Sequence, residues 1–394
     1  MTPHFLAIER ALRRSAPHAL IETLRTGLVR DYGALAVEVV LADYSLTALC
    51  PVAADEAGSS SVLSVHRSPQ GRAFVSQEPL RRATAADPSV VDLHLPLTVH
   101  GDRLGVLTVT LPDALATGET EGELLQISEL LGGAIIVAQR ETDQYEQARR
   151  LSKLTLAAEM QWQLLPGRSF SCPQYSLGAQ LEPAYSVRGD NFDWSVAPDA
   201  LTLAVTNGMG EGMHASMLTN LAVNALRNAR RANLPITDQA MLADEAIYHQ
   251  HRGDAHVSTL LMHVTLSSGH VSVVDAGSPQ LWIQRDKAVE RLELDAQLPL
   301  GMFAESRYIA QQFHIEPGDR LVVVSDGVYA ATSPTGESYA ERSLARAIST
   351  AHFLPAADVP SAVLRGLATH RSAEADDDAL VLCLDWHGSP AQNP

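Results

Sequence analysis

Aspartates at three separated places in the sequence could together bind divalent metal ions. They are Asp190 within residues 188–193, Asp326 within residues 325–327, and Asp376 at the start of the triplet 376–378. Each adjoins an apolar run typical of a β-strand, which would fix its carboxylate at a strand end. Mg²⁺ and Mn²⁺ prefer oxygen ligands, chiefly carboxylates. Carboxylates from several strand ends could hold two such ions, which would activate a water and neutralise a phosphate under attack.

A glycine-rich stretch, residues 205–212, joins an apolar run at 201–205 to a helical pattern that begins at Met213. Gly208, Gly210 and Gly212 stand at alternate positions in it. A strand that breaks into a glycine-rich turn and opens a helix brings backbone atoms close to a ligand or metal. Taken alone, the pattern also fits an ordinary tight turn, and it is the acidic stretches that favour a functional interpretation.

Length and composition indicate the number of domains, the kinds of binding partner and the cellular compartment. A length of 394 residues allows about two or three domains with their own cores. The formal net charge of -17 disfavours binding to nucleic acid or to an anionic membrane surface. The three cysteines are far apart, which predicts neither a disulfide framework nor a zinc site. With no signal-peptide pattern and no bilayer-length apolar run, we expect a cytoplasmic protein.

The N-terminal part predicts a small α+β domain, assigned to residues 1–120. Helical spacing at 7–32 is followed by strands at 34–41 and 46–52, a short helix at 70–76, and a hairpin over 93–111. This order resembles a GAF domain, a sensor module of bacterial signalling proteins, and a PAS domain would look similar. The sequence identifies no ligand, and a structural or dimerising role is the alternative to sensing.

Residues 121–165 contain no proline and predict a helical, coiled-coil-like linker of one or two helices. The apolar positions Leu124, Ile127, Leu131, Ala134 and Ala138 follow the 3–4 spacing of a coiled-coil seam. We therefore expect a homodimer that pairs through the first half of this linker. An ordinary helix packed on the N-terminal sheet, with a loop after it, fits the same spacing.

The C-terminal part, residues 166–388, alternates many short strands with helices in pairs. We predict nine strands between Tyr175 and Leu384, one of them at 308–314, and helices at 213–233, 237–250, 341–349 and 359–370. Many strands with paired helices suggest two packed sheets with helices outside them. The overall fold class is therefore α+β.

Several motifs occur here in an order that resembles the PPM serine/threonine phosphatases, in particular the bacterial branch that regulates sigma factors through partner switching. The motifs are residues 157–166, 183–193, 207–217, 275–279, 299–301, 317–321, 324–328 and 376–377. The resemblance implies an α-β-β-α sandwich and a two-metal Mn²⁺ or Mg²⁺ centre. It also implies hydrolysis of phosphoserine or phosphothreonine on a small phosphorylated regulatory protein.

Carried over position by position, the resemblance assigns Asp190 to the metal shell, the Gly208 carbonyl to one metal, and Asp326 and Asp376 to the other. Asp376 is chosen over Asp377 because it keeps the following strand aligned. The catalytic assignments are Asp190 and Asn207, and the latter stands where the family has a bridging aspartate. An amide has no charge and cannot bridge two cations as a carboxylate does.

Two further departures from the family pattern adjoin the motifs. Ser278 stands in place of a histidine, and Arg188 replaces a glycine. Three carboxylates remain, so the main functional hypothesis is a phosphatase regulated by the N-terminal domain. The alternative, favoured by Asn207, is a degenerate phosphatase that binds a partner without turning it over. A kinase is disfavoured because no glycine-rich ATP loop occurs.

Overall fold

The computed structural model describes residues 2–52, 61–85, 87–151, 153–182, 187–340, 343–371 and 377–389. The chain divides into two compact units, residues 1–153 and 154–394. Each unit has its own hydrophobic core. None of the described helices is both long enough and apolar enough to cross a membrane.

The N-terminal unit contains one antiparallel sheet of six strands in the order β3-β2-β1-β6-β5-β4. Its strands are β1 Ala36–Ala42, β2 Ala48–Pro51, β3 Leu63–Ser64, β4 Leu80–Ala83, β5 Val90–Val99 and β6 Asp102–Pro112. Its helices are α1 Pro3–Arg14, α2 Leu20–Tyr32, α3 Pro69–Ser76, α4 Gly118–Ala138 and α5 Gln144–Ala148. The single helical pattern at 7–32 thus becomes two helices, because Pro17 lies between them and cannot donate a backbone hydrogen bond.

Alternation along the strands divides this unit into two cores. On β1, Val39 and Leu41 face the main core with α1, α2 and α4, whereas Val40 faces a smaller core with Phe74 of α3. This is the arrangement expected when successive side chains of a strand point to opposite faces of a sheet. The sheet and its helices agree with the predicted α+β domain, and its role as a sensor stays a prediction.

The linker predicted over 121–165 as one or two helices consists of three, α4, α5 and α6 (Leu156–Leu164). Helix α4 belongs to the N-terminal unit, where Leu124, Ile127 and Leu131 are buried in the core of that unit. Helix α5 follows it, and Tyr145 of α5 donates a 2.6 Å hydrogen bond to the Pro17 carbonyl. The apolar spacing of α4 is therefore accounted for by packing within one chain, and homodimerisation stays a prediction. Spacing alone could not separate the two because a coiled-coil seam and a core-facing helix share nearly the same period.

The C-terminal unit contains two antiparallel sheets, in the orders β15-β12-β11-β10-β9 and β14-β13-β16-β17-β8-β7. The strands of the first sheet are β9 Asp190–Ala197, β10 Ala200–Gly208, β11 Val257–Thr265, β12 His270–Ala276 and β15 Gln311–His314. Those of the second are β7 Ser169–Ser171, β8 Tyr175–Glu182, β13 Gln280–Arg285, β14 Ala288–Arg291, β16 Arg320–Val324 and β17 Ala379–Trp386. The helices are α6 Leu156–Leu164, α7 Gly212–Arg231, α8 Ile236–His251, α9 Asp326–Tyr329, α10 Ser343–Thr350 and α11 Val359–Arg371.

The two sheets pack face to face, with helices on both outer sides. On β10, Leu203 and Val205 enter the core between the sheets, whereas Ala204 faces the outer core formed with α7 and α8. On β17, Leu382 enters the central core and Val381 faces the outer core with α10 and α11. The result is the four-layer arrangement that the family resemblance implied.

One predicted strand is shorter than expected. Residues 308–314 give a strand only over Gln311–His314. Tyr308 is instead buried against α8, where its hydroxyl donates a 2.9 Å hydrogen bond to the Asp244 carboxylate. A contact with a residue 64 positions away has no local signature in the sequence.

Candidate active site

Two of the predicted acidic residues, Asp190 and Asp326, meet because four strands begin or end at the same place. Strand β9 begins at Asp190, which lies opposite Asn207 near the end of β10. In the other sheet, Asp326 follows the end of β16, and β17 begins directly after Asp378. Antiparallel pairing of β16 with β17 brings these two positions to the same sheet edge.

Asp190 is fully buried, and neither carboxylate oxygen has a hydrogen-bond partner among the described residues. Burial raises its pKa well above the usual value, and the Asp378 carboxylate raises it further. The Ser325 hydroxyl opposes this shift from nearby, although its geometry falls short of a hydrogen bond. A buried carboxylate without donors is costly unless a cation accompanies it.

Asn207 faces Asp326 directly. The Asn207 side-chain amide donates a 2.5 Å hydrogen bond to Asp326 Oδ1, which also accepts a 3.0 Å bond from the Gly327 N–H. Burial raises the pKa of Asp326, and these two donors oppose the shift. Ser278 lies close enough to oppose it as well, although its hydroxyl forms no hydrogen bond within the described chain.

The aspartate triplet separates into different roles. Asp376, the predicted ligand, lies outside the described residues, so its assignment stays a prediction. Asp377 lies beside Asp326, and a Cβ atom at Gly327 would be 3.2 Å from the Asp377 Cβ. Burial raises the pKa of Asp377 to about 6, with a further contribution from Asp326. Asp377 is therefore the described member of the triplet that is placed to share a cation with Asp326.

Asp378 is a structural anchor that the sequence did not reveal. It is fully buried, and its Oδ2 accepts hydrogen bonds from Gln161 Nε2 at 2.8 Å, Arg188 N at 2.9 Å and Gly189 N at 3.1 Å. Asp190 N lies at 3.4 Å from the same oxygen. Gln161 also donates a 2.9 Å bond to the Asp190 carbonyl. One carboxylate thus fixes the turn that precedes β9.

Two glycines allow β10 and this turn to approach each other. Gly189 has a φ of 92° and its carbonyl accepts bonds from Gly208 N at 3.1 Å and Thr219 Oγ1 at 2.7 Å. A Cβ atom at Gly208 would lie 2.3 Å from that Thr219 oxygen. Both positions therefore require glycine, for conformation at 189 and for space at 208.

Asp193, three residues after Asp190, belongs to a different group of contacts. It forms 2.8 Å ion pairs with both Arg227 and Arg230 of α7. The second aspartate of the motif, Asp193, therefore has a structural role, because its ion pairs connect β9 to α7. The spacing Asp-x-x-Asp gave no sign of this, because the arginines lie 34 and 37 residues further along the chain.

The carboxylates fit a hard divalent cation. Asp190 offers two unpartnered oxygens, and Asp326 and Asp377 are half-buried and close enough to each other for their charges to interact. Within the described ranges, however, no group of three or more His, Cys, Asp or Glu side chains has the arrangement of a metal cluster. The amide of Asn207, which donates to Asp326, accounts for part of this shortfall.

Known proteins resemble this chain, chiefly in its C-terminal unit. Residues 197–387 match the family model described as Stage II sporulation protein E (SpoIIE). Protein IcfG of Synechocystis sp. is 22% identical over 329 residues, which cover 72% of this chain and 52% of the relative. The chain therefore spans about half the length of the curated relative that it matches.

Two solved structures align with part of this chain. The SiaA-PP2C domain of Pseudomonas aeruginosa aligns with a TM-score of 0.51 at 18% identity, over 58% of this chain and 94% of that one. The RsbU and RsbW domains of Rv1364c from Mycobacterium tuberculosis align with a TM-score of 0.49 at 20% identity, over 55% of this chain and 62% of that one. The match of residues 197–387 to the SpoIIE family model and the fold shared with the SiaA-PP2C domain agree with the resemblance of the C-terminal unit to PPM-type phosphatases.

Proposed function

We propose that this chain is a metal-dependent protein serine/threonine phosphatase. The proposal proceeds from the match of residues 197–387 to the SpoIIE family model. The observation that carries the proposal is the state of Asp190. It is fully buried, has no hydrogen-bond donor to either oxygen among the described residues, and lies near the half-buried carboxylates of Asp326 and Asp377. Such a site has a stable charge state at neutral pH when it holds a cation.

In this proposal, Asp190, Asp326 and Asp377 hold Mn²⁺ or Mg²⁺, with the Gly208 carbonyl as a backbone donor. Asp376 remains a further candidate ligand. A bound divalent ion would polarise the phosphoryl group and lower the pKa of a water molecule. Asn207 adds no charge and holds Asp326 in place by its hydrogen bond. The anchor Asp378 keeps the loop of Asp190 fixed by accepting bonds from the backbone of Arg188 and Gly189.

The test is phosphate release from a phosphoserine peptide by the full chain, measured with Mn²⁺ and with chelator. We expect release with Mn²⁺, loss of release with chelator, and loss in Asp190→Asn. Asp254→Asn is a matched control, because Asp254 is exposed and lies outside the site. Tight binding of the phosphopeptide without release under both conditions would favour a binding module instead, as the amide at 207 suggests.

We further propose that the N-terminal unit regulates this activity and that the substrate is a phosphorylated regulatory protein of a partner-switching system in the cytoplasm. Support comes from the resemblance of the N-terminal unit to a sensor module and from the phosphatase family of the C-terminal unit. A comparison of phosphate release from such a phosphoprotein and from a short peptide of the same phosphosite tests the substrate. Equal kcat/KM for the two would contradict a specific protein substrate.

A further inference from the structure

Arg188 places a positive charge next to the candidate site. Its Nη2 lies 3.9 Å from Glu211 Oε2, which is a long ion pair between side chains that are 42% and 66% exposed. Its Nε is buried and has no hydrogen-bond partner among the described residues. The backbone N–H of Arg188 donates to the carboxylate of Asp378, which directly follows Asp377, and Arg188 precedes Asp190 by two residues. Arg188 is therefore beside the carboxylates of the site, and its guanidinium has an unused donor.

The backbone of Arg188 is fixed by hydrogen bonds in and next to its own peptide. Its N–H donates to Asp378 Oδ2 at 2.9 Å, and the carbonyl of Val187 accepts a 2.7 Å bond from Gly212 N. The second bond holds residue 187 beside the start of α7, which is preceded by Glu211. An arginine on a fixed backbone loses less entropy when its guanidinium binds a ligand.

A phosphate ester approaching this site carries negative charge toward at least three carboxylates. A cation at the rim would offset that repulsion, and the planar guanidinium matches phosphate with two parallel hydrogen bonds. Glu211 is a weak competitor for this guanidinium, because exposed ion pairs at such a distance contribute little. A dianionic phosphate could therefore replace Glu211 as the partner of Arg188.

We propose that Arg188 is a substrate-binding residue that takes the phosphoryl group of a phosphoserine or phosphothreonine segment, in exchange for its contact with Glu211. This inference rests on the proposed function and adds to it the residue that recognises the phosphate. Arg188 binds the group being transferred, and Glu211 tunes that binding by competing for the same guanidinium.

The first test is the kinetics of phosphopeptide hydrolysis with saturating Mn²⁺. For Arg188→Gln we expect KM to rise about tenfold, since a charge-assisted hydrogen bond to the substrate is lost. Arg188→Lys should recover part of this loss. For Glu211→Gln we expect the opposite sign, a KM lower by roughly twofold to threefold. Glu211 makes no capping bond to α7, so this substitution leaves the helix start intact.

Arg346→Gln is the matched control, because Arg346 is exposed on α10 and belongs to no ion pair among the described residues. Its KM should equal that of the unmodified chain. An unchanged KM in Arg188→Gln, or a higher KM in Glu211→Gln, would overturn the proposal.

The second test does not depend on catalysis. A fluorescent peptide with a non-hydrolysable phosphonate analogue of phosphoserine is titrated with the full chain, and anisotropy gives Kd. We expect Kd to rise about tenfold in Arg188→Gln and to fall roughly twofold to threefold in Glu211→Gln. Inorganic phosphate should compete for the same site, and the unmodified serine peptide should not.

The two tests separate this inference from the proposed function. Phosphonate binding that depends on Arg188, without any phosphate release, would overturn the phosphatase and support the role of Arg188. Phosphate release with a KM that is indifferent to Arg188→Gln would support the phosphatase and overturn the role of Arg188. Failure of the unmodified chain to bind the phosphonate peptide would also overturn it.

Discussion

The starts of β9 and β17 each carry a fully buried aspartate, and the two differ in their partners. Asp378 accepts hydrogen bonds from one side chain and from the backbone of the turn before β9. Asp190 has no donor for either side-chain oxygen among the described residues. Asp193, further along β9, is a third type, paired with two arginines. Burial is nearly the same for all three, whereas the way each negative charge is balanced is different.

This difference shows how a structural carboxylate can be distinguished from a ligand. A carboxylate that receives several N–H groups is stabilised by the fold itself, because hydrogen bonds to the charged form offset burial. A buried carboxyl group without donors is stabilised instead by taking up a proton or by a cation that the fold binds. On this criterion Asp378 and Asp193 are structural, and Asp190 has the environment expected of the metal ligand that we propose.

The largest expected effect is that of removing the anchor. Asp378→Ala should lower the free energy of unfolding of the C-terminal unit by about 3–5 kcal/mol, because several buried donors lose their acceptor. Urea unfolding followed by tryptophan fluorescence measures this, with the exposed Asp254→Ala as control. A loss below about 1 kcal/mol would show that water or other groups replace the carboxylate.

Asp190→Asn should separate activity from stability. We expect Mn²⁺-dependent phosphate release to fall about a hundredfold, since a ligand of the cation is lost. In chelator, the free energy of unfolding should change by less than about 1 kcal/mol, because no hydrogen bond to the carboxylate is broken. A large destabilisation in chelator would mean that Asp190 has a structural role like that of Asp378.

Asp193→Asn should lower stability and leave metal binding unchanged, which is the reverse of the result expected for Asp190→Asn. The free energy of unfolding should fall by about 2 kcal/mol, because Arg227 and Arg230 lose a shared charged partner in a partly buried site. The affinity for Mn²⁺, measured by calorimetry, should stay the same. Weaker Mn²⁺ binding would place Asp193 among the metal ligands. It would contradict the assignment of different roles to Asp190 and Asp193.

Asn207→Asp should have the smallest effect. It should be unfavourable to stability without metal and favourable to activity with metal. A carboxylate at 207 would face Asp326 where the amide now donates a hydrogen bond, so the chain in chelator should become less stable. With Mn²⁺, we expect tighter metal binding and phosphate release about tenfold faster, because a bridging carboxylate favours two-metal chemistry. Equal Mn²⁺ affinity and equal rates would show that position 207 does not contact the metal.

The sequence determined most of the strands and the convergence of Asp190, Asn207 and Asp326. These features could be predicted because alternating apolar positions define strands locally, and because motif order assigns residues to strand ends. The glycines at 189 and 208 were also visible as motif positions. Their structural reasons, a positive φ and a close approach to Thr219, were not.

Tertiary structure alone decided which carboxylates are anchors and what covers the apolar face of α4. In the sequence, nothing marks Asp378 as the anchor among the aspartates of 376–378, and only the donors from Gln161, Arg188 and Gly189 single it out. Those donors lie 189 to 217 residues away along the chain. Likewise, the spacing of Leu124 and Leu131 fits a second chain or the unit's own sheet equally well, and only the packed core shows the latter. Hydrogen-bond partners and packing partners come together through chain folding, so local sequence patterns carry no record of them.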